Sequence, residues 1–159
     1  SLQGDDPLAT DEILARLPGA ASTLSPDEQA FMTAEPPDPQ QINAAVWRYE
    51  ALAVLQWAMG WLDALPFPDQ VCDVSRCAEL ALTWADSAST HTATLRPAGE
   101  ILDALDLHLR LHWLTRQARL DESDPPAGLI PGVIAERHHA LNWLVRFENR
   151  DWDDIDTPT

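Results

Sequence analysis

The sequence predicts an all-α protein, an irregular single-domain bundle of about five or six helices. Apolar residues recur at helical spacing through its longest segments, and helix-start signals precede several of them. No run strictly alternates apolar and polar residues, and there is no internal repeat. A chain of 159 residues, 45% of them hydrophobic, suits one domain with a sizeable core.

The chain divides into three predicted parts. Residues 1–24 form a lead-in with a short helix at Thr10–Leu17, which Pro18 and Gly19 end. The helical domain spans residues 25–156, and residues 157–159 are a tail.

Two capping patterns open the helical domain. The segment Ser25–Glu28 has the pattern of a capping box, with Pro at the first helical position, and predicts a short helix to about Met32. Asp38 and Pro39 likewise begin a longer helix that reaches about Leu65, where prolines end it. Its apolar residues form two stripes: Ala45, Leu52, Leu55, Met59 and Leu62, and Trp47, Val54 and Trp61.

Two further helices follow. Ser75 is the predicted N-cap of a helix to about Asp86, and a polar loop covers residues 87–94. The next helix begins near Pro97 and continues to Leu120. Its apolar stripe consists of Ala104, Leu107, Leu111, Leu114 and Ala118.

The last helix begins at Pro131 and runs to about Phe147. From Asp151 the sequence is acidic, without the central Gly and trailing Glu of a calcium loop, so we expect a solvated tail. The helical spacing of Trp57, Trp61, Trp113 and Trp143 predicts core positions. An exposed Trp beside acidic residues would instead indicate a protein contact.

The formal net charge is -16, from 26 acidic and 10 basic residues, and every basic residue is Arg. Such a charge disfavours binding to a phosphate backbone, so we predict no nucleic-acid ligand. It favours a basic protein partner or plain solubility. Arg forms planar, bidentate pairs with carboxylates, so some of these Arg residues are candidates for internal pairs.

Location is predicted from the absence of long apolar runs. No run approaches the roughly 18 residues of a membrane span, and the acidic Asp5 and Asp6 are unlike the start of a signal peptide. We therefore expect a cytoplasmic protein without membrane contact. Cys72 and Cys77 match neither a thioredoxin-type pair nor a zinc knuckle, which predicts free thiols.

Several charged residues on the predicted helices have apolar neighbours one turn away, as Glu136 has at Ala140. Buried charges must be paired, so these groups form a candidate polar cluster between the core helices. Its members are Arg48, Glu50, Asp103, Asp106, Arg110, His112, Glu136, Arg137, His138 and Asn142.

Two interpretations of the cluster remain open. In the first, its members form satisfied ion pairs and helix-end bonds that fix the register of three core helices. In the second, they line a pocket for hydrolysis or small-anion binding, with Glu136 or Asp106 as general base, His112 or His138 as proton carrier, and Arg110 or Arg137 as anion holder.

His108 and His112 are four residues apart and share a helix face, as two metal ligands often do. No His-Glu-x-x-His element accompanies them, and a third ligand would have to come from another helix. We therefore predict no metal and no cofactor.

Four sequence blocks stand in a recognisable order: Trp47–Glu50 with Trp57–Gly60, Glu100–Asp103 with Asp106, Arg110, His112 and Trp113, Glu136–His138 with Ala140–Trp143, and Trp152–Asp154. Together they resemble one bacterial family, the domain of unknown function 4272. The resemblance covers roughly Ser25 to Asp156 and implies a helical fold with no assigned activity. At Leu109 and His139 the family often has Tyr, so any role of those phenols is absent here.

Two hypotheses for function follow. The first is a non-enzymatic interaction module that binds a basic protein, and net charge is its support. The second is a small-ligand-binding or hydrolytic protein that uses the polar cluster. They differ in whether the cluster is open to solvent or sealed inside the bundle. Oligomeric state and biological process are not predicted.

Overall fold

The computed structural model describes residues 14–15, 19–34, 38–87 and 94–159, with only the backbone of residues 85–87. These ranges contain five α-helices and no strand, which confirms the all-α prediction. The helices are α1 (Pro26–Thr33), α2 (Pro39–Ala58), α3 (Val74–Ser87), α4 (Ala98–Leu120) and α5 (Pro131–Leu144), with short 3₁₀ turns at Ala20–Ser22, Pro126–Gly128, Phe147–Asn149 and Trp152–Asp154.

Two predicted segments fall largely outside this part of the chain. The helix expected at Thr10–Leu17 is described only at residues 14 and 15, and the loop expected at 87–94 only at its two ends. Across the ranges that are described, no helix has both the length and the hydropathy needed to cross a bilayer.

Helix α5 lies at the centre of the bundle, because it packs along both α2 and α4, while α3 packs on α2. Four of its apolar side chains are completely buried: Val133, Ile134, Ala140 and Leu141. The main core cluster joins Ala140 and Leu141 to α2 and to the start of α4 through Ala51, Val54, Trp57, Ala58 and Ile101. Ile134 packs separately with Leu111 of α4 and with Leu129. A helix buried on most faces must carry its polar residues inward, which places part of the candidate cluster in the core.

The starts of α1 and α2 confirm their predicted caps. The Ser25 hydroxyl accepts a hydrogen bond from the Glu28 amide, and the Glu28 carboxylate accepts one from the Ser25 amide. Asp38 and Gln41 make the same reciprocal pair at the start of α2. In both helices a Pro occupies the first turn, where its missing N–H is not needed.

The end of α2 was predicted wrongly, since the helix stops at Ala58 and not near Leu65. Gly60 adopts a left-handed φ of 75°. Its amide donates to the Trp57 carbonyl, and the Trp61 amide donates to the Gln56 carbonyl. This is a Schellman motif, which ends the helix before the prolines are reached.

The boundaries of α3 and α5 also differ from the prediction. Helix α3 begins at Val74, and the Asp73 carboxylate accepts a hydrogen bond from the Arg76 amide, so Asp73 takes the capping role expected of Ser75. Helix α5 ends at Leu144, and Arg146 just beyond it has a left-handed φ of 57°.

The predicted apolar stripe of α4 was wrong in part. Leu111 and Ala118 are buried, but Leu107 and Leu114 are exposed. The buried face of α4 instead includes His108 and Thr115, each of which bonds a carbonyl within its own helix. Trp113 and Trp143 are also exposed, contrary to the predicted core positions.

The acidic C-terminal segment packs on the domain and is not a freely solvated tail. Ile155 is buried, and the Asn142 side-chain amide donates to the Asp156 carbonyl at 2.9 Å. The Trp152 ring meets the rings of His139 and Trp143 edge to face. The prediction of a solvated tail was wrong because Asp dominates the composition of the segment, while one Trp and one Ile make the contacts.

Candidate functional site

The structure divides the candidate cluster into a sealed part, a part that lines a groove, and a part on the outer surface. Glu50 of α2 and Arg137 of α5 form the sealed part, with 2% and 0% of their surface exposed. Arg137 Nε donates to Glu50 Oε2 at 3.0 Å, and the second Glu50 oxygen accepts from the Cys72 amide at 2.6 Å. Arg137 Nη1 donates to the Pro66 carbonyl at 2.6 Å.

This pair therefore fixes three segments at once. It ties α2 to α5 and holds the connection between α2 and α3 at Pro66 and Cys72. Both charges are enclosed and bonded to each other, the arrangement that a buried ion pair needs in order to persist. No ligand can reach Glu50 or Arg137 without opening the bundle, so these two residues fit the structural interpretation.

A second buried contact joins α4 to α5 through two histidines. The Nδ1 atoms of His112 and His138 lie 3.0 Å apart, and their rings meet edge to face. One ring must therefore donate while the other accepts. Burial lowers the pKa of His138 to about 4, with the neighbouring His112 adding to the effect, and burial also lowers the pKa of His112. Both rings are accordingly neutral near pH 7.

Three members of the cluster lie on the outside of α4. Asp103 is exposed, and Arg110 donates to Asp106 at 2.8 Å within the same helix, with both side chains largely in solvent. The structure does not bring them to the rest of the cluster, because the face of α4 that meets α5 carries Ile101, His108 and Leu111. Neither the general-base role considered for Asp106 nor the anion-holding role considered for Arg110 has support here.

Arg48 and Glu136 form the part of the cluster that reaches solvent. Arg48 Nη1 donates to Glu136 Oε2 at 3.0 Å, and the side chains are 37% and 23% exposed. The Arg48 guanidinium also lies over the Trp152 ring, 5.6 Å from its centre. Partial burial raises the pKa of Glu136, and the Arg48 charge opposes that rise.

Arg48 and Trp152 line a groove between α1, α2 and the C-terminal segment, with a volume of about 490 Å³. Glu136 adjoins the groove through its bond to Arg48. The lining is mostly apolar, with charged groups at Asp27, Glu28, Arg48 and Asp153. Its apolar members are Leu24, Ala30, Phe31, Met32, Ala44, Ala45 and Trp152. A pocket of this size and polarity suits one or two apolar side chains or a small molecule.

Asp153 ties the two ends of the helical domain together at this groove. Its Oδ2 accepts a hydrogen bond from the Asp27 amide at the start of α1, at 3.0 Å. Its Oδ1 is buried and makes no hydrogen bond to any described residue. Nearby, burial and the Arg48 charge lower the pKa of His139 to about 4. A neutral imidazole, that of His139, therefore lies near the groove. Among the described residues that line the groove, three carboxylates face the guanidinium of Arg48.

The groove offers little for catalysis. The residues that the structure describes in its lining include no Ser, Cys or His side chain that could act as a nucleophile or proton carrier. Glu136 is already bonded to Arg48, and Arg48 is stacked on Trp152. Within the described ranges, no group of three or more His, Cys, Asp or Glu side chains is placed to hold a metal ion.

The two cysteines lie away from this groove. Cys72 and Cys77 are buried, free thiols, as predicted, and they pack with Ala53. A hydrogen bond with Cys77, together with burial and the nearby Glu50 carboxylate, raises the pKa of the Cys72 thiol. A protonated, enclosed thiol is a poor nucleophile.

The sequence predicted Arg48 and Glu136 as members of the cluster but did not predict the groove that Arg48 lines. The capping box predicted α1, yet nothing local indicates that α1 packs beside α2 and the last residues of the domain. The one usable signal was Trp152, an aromatic residue in an otherwise acidic segment.

Comparison with known proteins yields one family. The family model described as Domain of unknown function (DUF4272) matches residues 1–155. No match was found among curated proteins or among solved structures.

Proposed function

The chain belongs to the DUF4272 family, and from that premise we propose that it is a non-enzymatic interaction module that binds a basic protein partner. The observation that carries the proposal is the apolar groove edged by carboxylates on a chain of net charge -16. An apolar side chain of the partner would enter the groove, and the partner's basic residues would meet Asp27, Glu28 and Asp153.

The charge distribution supports a basic occupant over an acidic one. Among the described residues that line the groove, Arg48 is the one cation, and Glu136 and Trp152 already engage it. An acidic ligand would have to displace Glu136 and approach three other carboxylates, which is unfavourable at short range. A basic segment meets a complementary field at long range and an apolar surface on contact.

The alternative is a small-ligand-binding or hydrolytic site that uses the polar cluster. It has less support, because Glu50 and Arg137 are sealed and the described residues of the groove lining include no Ser, Cys or His. The groove volume would accommodate a small amphipathic molecule, so a groove that binds such a molecule and ignores basic proteins would favour this alternative.

The test uses two matched pairs of variants. Asp27→Lys reverses a charge at the groove, whereas Asp124→Lys makes the same change at an exposed loop position. Ala44→Trp fills the groove, whereas Asn43→Trp places the same side chain beside it on the exposed surface of α2. The two variants of the first pair change the net charge equally, and the two of the second pair introduce the same side chain. Any difference in binding within a pair therefore reports on the groove.

Basic proteins retained from the native host at low salt are purified, and their affinity for each variant is measured by fluorescence anisotropy. We expect Asp27→Lys and Ala44→Trp to weaken binding roughly tenfold or more, with the matched controls close to the parent. Binding should also weaken as salt rises. Failure to retain any basic protein at low salt, or equal loss in both members of each pair, would contradict the proposal.

A further inference from the structure

Helix α4 carries a row of large apolar side chains that the described chain leaves uncovered. Leu102, Leu109, Trp113 and Leu120 are 52%, 39%, 54% and 72% exposed. Their spacings of seven, four and seven residues place them along one line of the helix at 3.6 residues per turn. The surfaces of monomeric proteins rarely expose so many large apolar side chains along one line, so this face is a candidate interface.

The spacing of the row is that of the core positions of a coiled coil, which alternate by four and three residues. The two positions that complete the alternation are 106 and 116, and both are charged: Asp106 and Arg116. With these two included, the six positions from Leu102 to Leu120 are apolar, acidic, apolar, apolar, basic and apolar in order. This pattern of six positions is symmetric in hydrophobicity about Leu111, with an acidic residue on one side of Leu111 and a basic residue at the matching position on the other.

That symmetry specifies a partner. A second α4 running antiparallel and centred on Leu111 would place Asp106 opposite Arg116, and the reverse pair would occur again by two-fold symmetry. The same alignment would place the apolar residues opposite one another, Leu102 with Leu120 and Leu109 with Trp113. A parallel alignment would instead set Asp106 against Asp106 and Arg116 against Arg116, which is repulsive.

Both charged side chains are accessible for such a contact. Asp106 accepts from Arg110 of its own helix and remains 58% exposed. Arg116 is exposed and donates to the Thr159 hydroxyl at 2.8 Å. Each has hydrogen-bonding capacity left for a partner, because a carboxylate accepts and a guanidinium donates several bonds.

We propose that a second copy of this chain covers this row, forming a two-fold symmetric dimer through antiparallel α4 helices. The contact spans residues 102–120, about 28 Å of helix. Each copy has a net charge of -16, so long-range repulsion opposes the dimer and salt relieves it. The dimer is therefore expected to tighten as salt rises, whereas binding of a basic partner to the groove is expected to weaken.

The charge pair supplies a sharp test by analytical ultracentrifugation over a range of concentrations at low and high salt. We expect Asp106→Arg alone and Arg116→Asp alone each to weaken the dimer roughly tenfold or more, because each sets like charges face to face. The double change restores opposite charges and should return the dissociation constant close to that of the parent. Asp106→Arg also makes each copy less negative and so lowers the long-range repulsion between the two copies. A weaker dimer in this variant can therefore be attributed to the local contact with Arg116.

A second pair of variants tests the apolar row. Leu109→Glu lies within it, whereas Leu107→Glu makes the same change at an exposed residue on a different face of α4. We expect the first to yield monomers and the second to leave the dimer intact, with circular dichroism confirming that both are folded. A parent chain that stays monomeric at every concentration and salt, a double charge variant that is not restored, or equal effects at positions 107 and 109 would overturn the proposal.

Discussion

The buried pair of Glu50 and Arg137 makes a quantitative prediction about stability. We expect Glu50→Gln to lower the free energy of unfolding by roughly 3–5 kcal/mol, because it leaves the enclosed guanidinium of Arg137 without its charge partner. The pair also anchors the connection between α2 and α3 through Pro66 and Cys72, so the loss should not be relieved by local movement. For a chain of this length it corresponds to a fall in Tm of about 6–20 °C.

Urea unfolding followed by circular dichroism measures this change. The matched control is Glu148→Gln, which makes the same change in the exposed pair with Arg150 and should leave the urea midpoint nearly unchanged. Replacing both buried partners by apolar residues, Glu50→Leu with Arg137→Met, should cost less than the sum of the two single changes. A loss below about 1 kcal/mol in Glu50→Gln would refute the reasoning, because it would mean that water reaches the pair.

Two further predictions concern a helix end and pH. Glu122 holds a left-handed φ of 51° at the end of α4, so Glu122→Gly should stabilise the fold by about 0.5–1 kcal/mol in urea unfolding, whereas Glu79→Gly inside α3 should destabilise it. The folded-state pKa of His138, about 4, lies below its ordinary value near 6.5, so the unfolded chain takes up the proton first and stability falls as pH drops between these values. By pH 4 this proton uptake lowers the free energy of unfolding by about 3 kcal/mol relative to pH 7. The free energy of unfolding of His138→Gln should therefore fall less between pH 7 and pH 4. An unchanged profile in His138→Gln, or a destabilised Glu122→Gly, would contradict the respective argument.

Local signals in the sequence predicted the helix starts well. The capping boxes at Ser25 and Asp38 depend only on side chains within one turn, so no tertiary information was needed. The end of α2 was predicted wrongly because the prolines after Leu65 are strong helix breakers, whereas Gly60 is a weaker sequence signal for a helix end. Gly60 ends the helix by closing two backbone bonds, which composition alone does not reveal.

The face of α4 could not be chosen from its own sequence. Leu occurs on every side of this helix, so the Leu stripe through Leu107 and Leu114 competed equally with the row through Leu102 and Leu109. The core took the part of the predicted stripe that carries Leu111 and Ala118, together with His108. A polar side chain that can bond within its own helix is compatible with burial, and hydrophobic periodicity does not detect it.

The candidate cluster was predicted partly for the right reason. Arg48, Glu50, Glu136 and Arg137 do pair between α2 and α5, because charges with apolar neighbours one turn away need partners. Which pair would be sealed and which would border a groove depends on the packing of α1 and of Trp152. Those contacts join residues more than 100 positions apart, beyond the reach of any local pattern.

The origin of the groove walls from distant parts of the chain also bears on protein synthesis. Helix α1 is translated before the other wall of the groove, because Trp152 and Asp153 follow it by more than 100 residues. A nascent chain that has not yet released these two residues lacks one wall of the groove, and Arg48 lacks the ring on which it rests. If the groove binds a partner as proposed, that binding must therefore follow translation of the segment through Asp153.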